Sequence, residues 1–240
     1  MKIDAKNMPA RDLCQEIKDC TESGITIKNV NGQRYLAVGC GKKDITLVGT
    51  PGNALGAYLD GAQIVVQGNA QDATGDTMNE GAIVIHGSCG DAAGYAMRGG
   101  KIYIRDSAGY RAGIHMKAYK EKQPVIIIGG CAGSFLGEYQ AGGLIIVLGL
   151  DGTGTAPVGR FVGTGMHGGK MLLRCKTLPP DLPKQVVARQ AQKADLEAVA
   201  PYLEEYCNIF KLDCDKLMDD QFFVLEPNTQ NPYKQLYCYS

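Results

Sequence analysis

No stretch of 18 consecutive apolar residues occurs in the 240-residue chain, so nothing in it reads as a membrane-crossing helix. The opening MKIDAKNMPARDL lacks the apolar run of a secretory signal, which makes a cytoplasmic location the expectation. Excess charge is missing as well, with 25 Lys and Arg against 25 Asp and Glu. That balance gives no whole-chain field to draw nucleic acid or an anionic membrane, and neither is expected as a partner. Nine cysteines are scattered without one C-x-x-C, so the spacings of zinc and iron–sulfur sites are absent and no metal is expected. They read as small buried hydrophobes or free thiols in a reducing compartment.

Motifs for chemistry fail in the same way. The esterase elbow G-x-S-x-G is absent. The phosphate loop fails because RGGK and HGGK lack its first glycine and run into Ile102 and Met171. A literal G-x-G-x-x-G does occur as GTGMHG, Gly163 to Gly168, but a strand follows at 171–173 where a dinucleotide site needs a helix. No cofactor and no catalytic residue are expected.

Glycine is abundant but confined. Of 32, only Gly24 and Gly32 lie outside 39–169, and none follows Gly169. The chain divides accordingly into a leader with a helix (1–36), a glycine-rich middle (37–176) and a helical tail (177–240). Within the middle a G-x-x-G-x-x-x-G frame, each time followed by an aliphatic strip, recurs six times. Its glycines are Gly49, Gly52, Gly56, then Gly68 and Gly75, then Gly87, Gly90, Gly94. They continue as Gly109 and Gly113, then Gly130, Gly133, Gly137, and finally Gly159 and Gly163. Gln71, Asp106 and Ala156 replace glycine in the incomplete copies. The period is 19 residues, with insertions near 114–125 and 150–156.

A unit so short cannot bury its own apolar face, so units must stack with their strands paired in parallel. The expected fold class is therefore mainly β: a single-stranded right-handed parallel β-helix of six or more coils of about 19 residues, with α-helical appendages at both ends. The glycines would serve corners and close backbone approach. Alternation sends Ile64/Val66, Ile83/Ile85, Ile102/Ile104, Ile126/Ile128, Ile145/Val147 and Met171/Leu173 inward. The residues between them are apolar too, so the outer face needs a cover, from the tail or from another chain.

At the N-terminus, MPARDLCQEIKDCTESG predicts a helix with Leu13 and Ile17 on one face. In the tail, Leu196, Val199, Leu203, Cys207 and Phe210 keep helical spacing, with Pro201 expected to divide or kink the helix. DQFFVLEP reads as a strand. His86, His115 and His167 occupy different repeat positions and are read as corner hydrogen-bonding residues. Arg98, Arg160 and His167 lie near glycine corners, where a carboxylate or a neighbouring subunit could be gripped.

The stretches NVNGQRYL, GTPGNALGAYLDG, GNAQDATGDTMNEGAIVIHGSCGDAAGYAMRGGKIYI, GYRAGIHMK, GGCAGSFLGEYQAGGLIIVLGL and PVGRFVGTGMHGG closely resemble the C-terminal G-x-G-x-G domain of the glutamate synthase large subunit. The resemblance covers about 29–169. It implies a right-handed β-helix without catalytic residues, bracing a glutaminase domain against a flavin-containing synthase domain. The chain looks like a stand-alone version of that domain, with glutaminase and flavin/iron–sulfur synthase subunits as expected partners and a homo-oligomer as a further expectation. A similar fold belongs to the C subunit of formylmethanofuran dehydrogenase, so fold alone does not choose the complex. The alternative from the residues is a self-sufficient small hydrolase or ligand binder using Arg160 and His167.

Overall fold

A computed structural model describes residues 1–152 and 154–228 of the chain. The end of the predicted helical tail, 229–240 with Cys238, lies outside the described residues, as does Thr153.

Alternating aliphatics form the strands, as their pairing shows. In chain order these are β1 (Lys2–Asp4), β2 (Gly24–Asn31), β3 (Asp44–Thr50), β4 (Asp60–Gln67), β5 (Glu80–Ile85), β6 (Lys101–Ile104), β7 (Val125–Ile128), β8 (Ala141–Val147) and β9 (Gly168–Arg174). Each pairs in parallel with the next, and the register carries Ile45 to Ile64, Ile83, Ile102, Ile126, Ile145 and Met171 in one line. The connections are successive turns, with no crossover helix between β2 and β9 among the described residues.

The tail then does something the repeat did not foretell. β10 (Val186–Gln190) and β11 (Phe222–Pro227) join the sheet antiparallel, in the order β9-β11-β10. The expected single-stranded parallel β-helix is thereby overturned: the strands form one mixed sheet of eleven, mostly parallel, with few helices, an arrangement of α/β type. The reason lies in side-chain parity. Pairing Val224 with Leu172 puts both on the outer face and pairing Leu225 with Met171 puts both on the inner, and both faces are apolar. The sheet edge at β9 therefore accepts a hairpin-like antiparallel partner as readily as another repeat. β1 and β2 lie in the leader and β10 and β11 in the tail, so all three stretches of the chain contribute to this sheet.

Two cores result. On the inner face, the aliphatic line packs under the turns, joined by Leu55, Ala93, Leu136 and Val162. On the outer face, Tyr103, Ile127, Ile146 and Leu172 are fully buried beneath α2 (Lys193–Phe210) and α3 (Cys214–Met218). The chain's own tail is thus the cover. Burying each such aliphatic side chain stabilises by about 1.5–3 kcal/mol.

Pro201 does not divide α2, which runs from Lys193 to Phe210 as one helix. Val199, Leu203, Tyr206 and Cys207 are all buried on the sheet, and their burial offsets the hydrogen bond Pro201 cannot make. Gln192 and Asp195 form a reciprocal capping box at its start. The third helix, α1 (Ala10–Asp19), buries Leu13 and Ile17, with Pro9 immediately before it.

Candidate interaction surface

Every turn has the same backbone plan. In the copy around Gly137, Phe135, Gly137 and Tyr139 all have positive φ, at 62°, 60° and 53°. Their N–H groups alternate in direction. Phe135 and Tyr139 donate forward to Arg160 and Thr164 carbonyls at 2.8 Å, while Gly137 donates back to Ala112 at 2.8 Å. A left-handed conformation costs a non-glycine residue of order 1–3 kcal/mol, offset here by a bond to the neighbouring layer. Such a zigzag turns residues 135 and 139 outward and Leu136 inward, where it is fully buried.

The expected structural glycines fall into three rows. Gly56, Gly75, Gly94, Gly113, Gly137 and Gly163 share positive φ and face the inner line. At Gly75 a Cβ would stand 2.5 Å from Ile102 Cδ1, on a backbone of φ +71°. Gly49 lies near the end of β3, and Gly68, Gly87 and Gly130 follow their strands. There a Cβ on Gly68 would lie 2.5 Å from the Gly49 carbonyl oxygen. Gly52, Gly90, Gly109, Gly133 and Gly159 sit one layer against the next, where Asp72 Oδ1 accepts from Asp91 N at 2.9 Å and Asp91 Oδ1 from Tyr110 N at 2.8 Å.

The outward positions two residues either side of the glycine change character along the stack. Early layers carry Ala54, Ala73 and Ala92 on one side, and Tyr58, Thr77 and Ala96 on the other. The last three carry Arg111 with His115, Phe135 with Tyr139, and Phe161 with Gly165. There Phe135 and Phe161 stack at 5.0 Å, and the Arg111 guanidinium lies 4.8 Å from the Phe135 ring centre. Arg111 Nε also donates to Glu138 Oε2 at 3.0 Å. In the second row His115 stacks on Tyr139 at 5.1 Å and meets Tyr95 edge-on at 5.9 Å. Phe161 and Tyr139 remain 43% and 37% exposed. Exposed Tyr and Phe beside Arg is the composition of a protein-binding surface.

Arg160 belongs to this patch, its guanidinium 5.5 Å from the Phe161 ring and its Nε 3.2 Å from Asp181 Oδ2. Arg98 and His167 lie in a different row of the turns. They occupy equivalent places four residues beyond Gly94 and Gly163, with Lys117 and Ala141 between them in the row, at strand spacing about 14 Å apart. Arg98 opens on a cavity of about 500 Å³ lined by Asp60, Asn79 and Lys122. Lys122 bonds Glu80 Oε2 at 2.7 Å, which raises its pKa above the ordinary lysine range. His167 Nδ1 lies 3.1 Å from the Gly165 carbonyl oxygen. His86 packs edge-on against Phe210 at 5.2 Å, and burial, then the charge of Arg105, lowers its pKa.

The GTGMHG segment leads directly into β9. Eight cysteines in the described residues are free, and burial pushes the Cys89 thiol up to about 12, so it stays protonated. Among the described residues no three His, Cys, Asp or Glu side chains are grouped to hold a metal ion. No helix among them is long and apolar enough to cross a membrane. Sequence reading missed Arg111, Phe135, Tyr139 and Phe161 as a group. Aligning RAGIH, FLGEY and FVGTG on their shared glycine is the signal that finds them.

A family model described as the GXGXG motif matches residues 12–228. The chain is 46% identical over 248 aligned positions to "Uncharacterized protein MJ1350" of Methanocaldococcus jannaschii, covering 98% of this chain and 95% of that protein. Its fold resembles a chain of the formyltransferase/hydrolase complex (FhcABCD) from Methylorubrum extorquens, solved with methylofuran. The TM-score is 0.64 at 19% identity, over 90% of this chain and 86% of that one.

Proposed function

The chain belongs to the GXGXG motif family, and on that footing we propose that it is a non-catalytic assembly subunit of a multi-subunit enzyme. The observation that carries this reading is the exposed Arg111–Phe135–Phe161–Tyr139 patch. Rigid layers hold it in place, and its rings are stacked before any partner arrives. Little side-chain entropy remains to be lost on docking.

The finer reading is a split glutamate synthase, in which glutaminase and flavin/iron–sulfur subunits together form L-glutamate from glutamine and 2-oxoglutarate. Motif stretches spanning most of the chain support it. A subunit of a formyl-group-transferring complex is the second reading, supported by likeness in fold to a chain of FhcABCD over 90% of this one.

Affinity purification of the tagged chain from its native host, followed by mass spectrometry, tests both. Recovery of glutaminase and flavin subunits supports the first, and recovery of formyltransferase subunits the second. If the chain elutes alone while the folded Tyr139→Ser/Phe161→Ser variant behaves identically, the assembly role is wrong.

A further inference from the structure

At the opposite end of the sheet, α1 lies across the first layers with its polar residues divided by sign. Arg11 and Lys18 line a groove of about 650 Å³ together with Lys42 and Lys43 from the loop before β3. Asp12, Glu16 and Asp19 face a separate depression on the other flank, with Glu22. No acidic side chain lines the groove.

Lys43 is already occupied. Its Nζ donates to the carbonyl oxygens of Ile17 and Cys20 at 2.8 and 2.7 Å, closing the last turn of α1. Arg11, Lys18 and Lys42 are exposed and make no ion pair within 4.0 Å among the described residues. Lys42 reaches Glu80 only as a charge acting through space. Three cations without an ion-pair partner around one concavity repel one another and concentrate positive potential inside it. Tyr35 and Val38, 61% and 46% exposed, line the same groove. The wall thus offers charge for carboxylates and an apolar strip for a side chain between them.

We infer that this groove docks a short acidic segment of a partner polypeptide carrying an aromatic or aliphatic residue among its carboxylates. The acidic flank decides against a nucleic acid. A polyanion longer than the groove would run onto Asp12, Glu16 and Asp19, whereas a short segment ends before reaching them. Free phosphate would leave Tyr35 and Val38 unused. Arg11 can take a carboxylate through two parallel N–H···O bonds, and Lys18 and Lys42 act as point charges on either side.

The probe is a fluorescein-labelled peptide, Glu-Asp-Leu-Phe-Glu-Asp-Glu, titrated with the full chain and followed by anisotropy. Expected is saturable binding that weakens as salt is raised, and weakens about tenfold or more in Arg11→Gln/Lys18→Gln/Lys42→Gln. Val38→Ser should weaken it a few-fold at unchanged salt dependence. Arg160→Gln, in the distant patch, should leave it unchanged. All these positions are exposed, and an unaltered circular dichroism spectrum shows that each variant folds. Equal binding by the triple variant overturns the proposal. So does equal binding of a peptide with Lys in place of Glu and Asp. Displacement by inorganic phosphate or oligothymidylate at the peptide's own affinity overturns it in favour of a general anion site. The measurement needs no partner complex, so it stands or falls apart from the assembly role.

Discussion

The Tyr206 hydroxyl donates to the carbonyl oxygen of Ile104 at 2.9 Å, stitching the C-terminal part of α2 to β6 at a fully buried point. Its ring also meets Tyr103 edge-on at 5.8 Å. Tyr206→Phe keeps the ring and removes the bond, and should cost about 1–2 kcal/mol in urea unfolding. Tyr206→Ala should cost about 3–5 kcal/mol, because it also opens a cavity over the outer row. Equal losses in the two variants would mean that the ring contributes nothing beyond its hydroxyl.

Ala92 and Gly94 both have positive φ, 54° and 68°, yet substitution should treat them oppositely. A Cβ on Gly94 would stand 2.5 Å from Ile126 Cδ1. Gly94→Ala is expected to destabilise by about 1–3 kcal/mol, and Ala92→Gly to stay within about 1 kcal/mol of the parent. Thermal unfolding of the pair separates backbone conformation from the fit against the inner line.

Arg189 grips Asp195 through Nη1–Oδ2 at 2.6 Å and Nη2–Oδ1 at 2.8 Å, joining β10 to the capping box of α2. Arg189, followed by the Gln192 N–H, holds the Asp195 carboxyl well below the usual carboxylate range, although burial acts the other way. The unfolded chain binds this proton near an ordinary value of about 3.9. The contribution is therefore present above that pH and fades as the solution is acidified below it. Asp195→Asn should lower stability at neutral pH, and the gap from the parent should narrow toward pH of about 3. A gap independent of pH would exclude the ionised carboxylate as its source.

Of the polar positions near glycine corners, Arg160 sits within the aromatic patch and Arg98 does not. Phe161→Ala and Arg160→Ala should each weaken capture of partner subunits about tenfold or more, as anchors of an interface do. Arg98→Ala should leave capture unchanged. Surface plasmon resonance against the purified partner would order the three.

The inner line was legible because strict alternation over six copies admits one facing, and Ile64, Ile83, Ile102, Ile126 and Ile145 are all buried on it. The need for an outer cover was legible from Tyr103, Ile127 and Ile146, but not what supplies it. β3 escaped notice because Val30, Gln33 and Ala37, which precede it, stand where later copies carry glycine. The class was misread because the parity that places repeats also suits an antiparallel β11, and spacing cannot tell the two directions apart. The patch was hidden for another reason. Arg111, Phe135 and Phe161 are separated by 24 and 26 residues and become neighbours only when layers stack.

Because β11 lies between β9 and β10, residues 222–227 are needed before the sheet is complete. A ribosome making this chain releases the wet-averse side of β6 to β9 well before α2 is available to shield it. That interval is when the nascent polypeptide is most open to sticking or to chaperone capture, and truncation ahead of Lys193 would make it permanent.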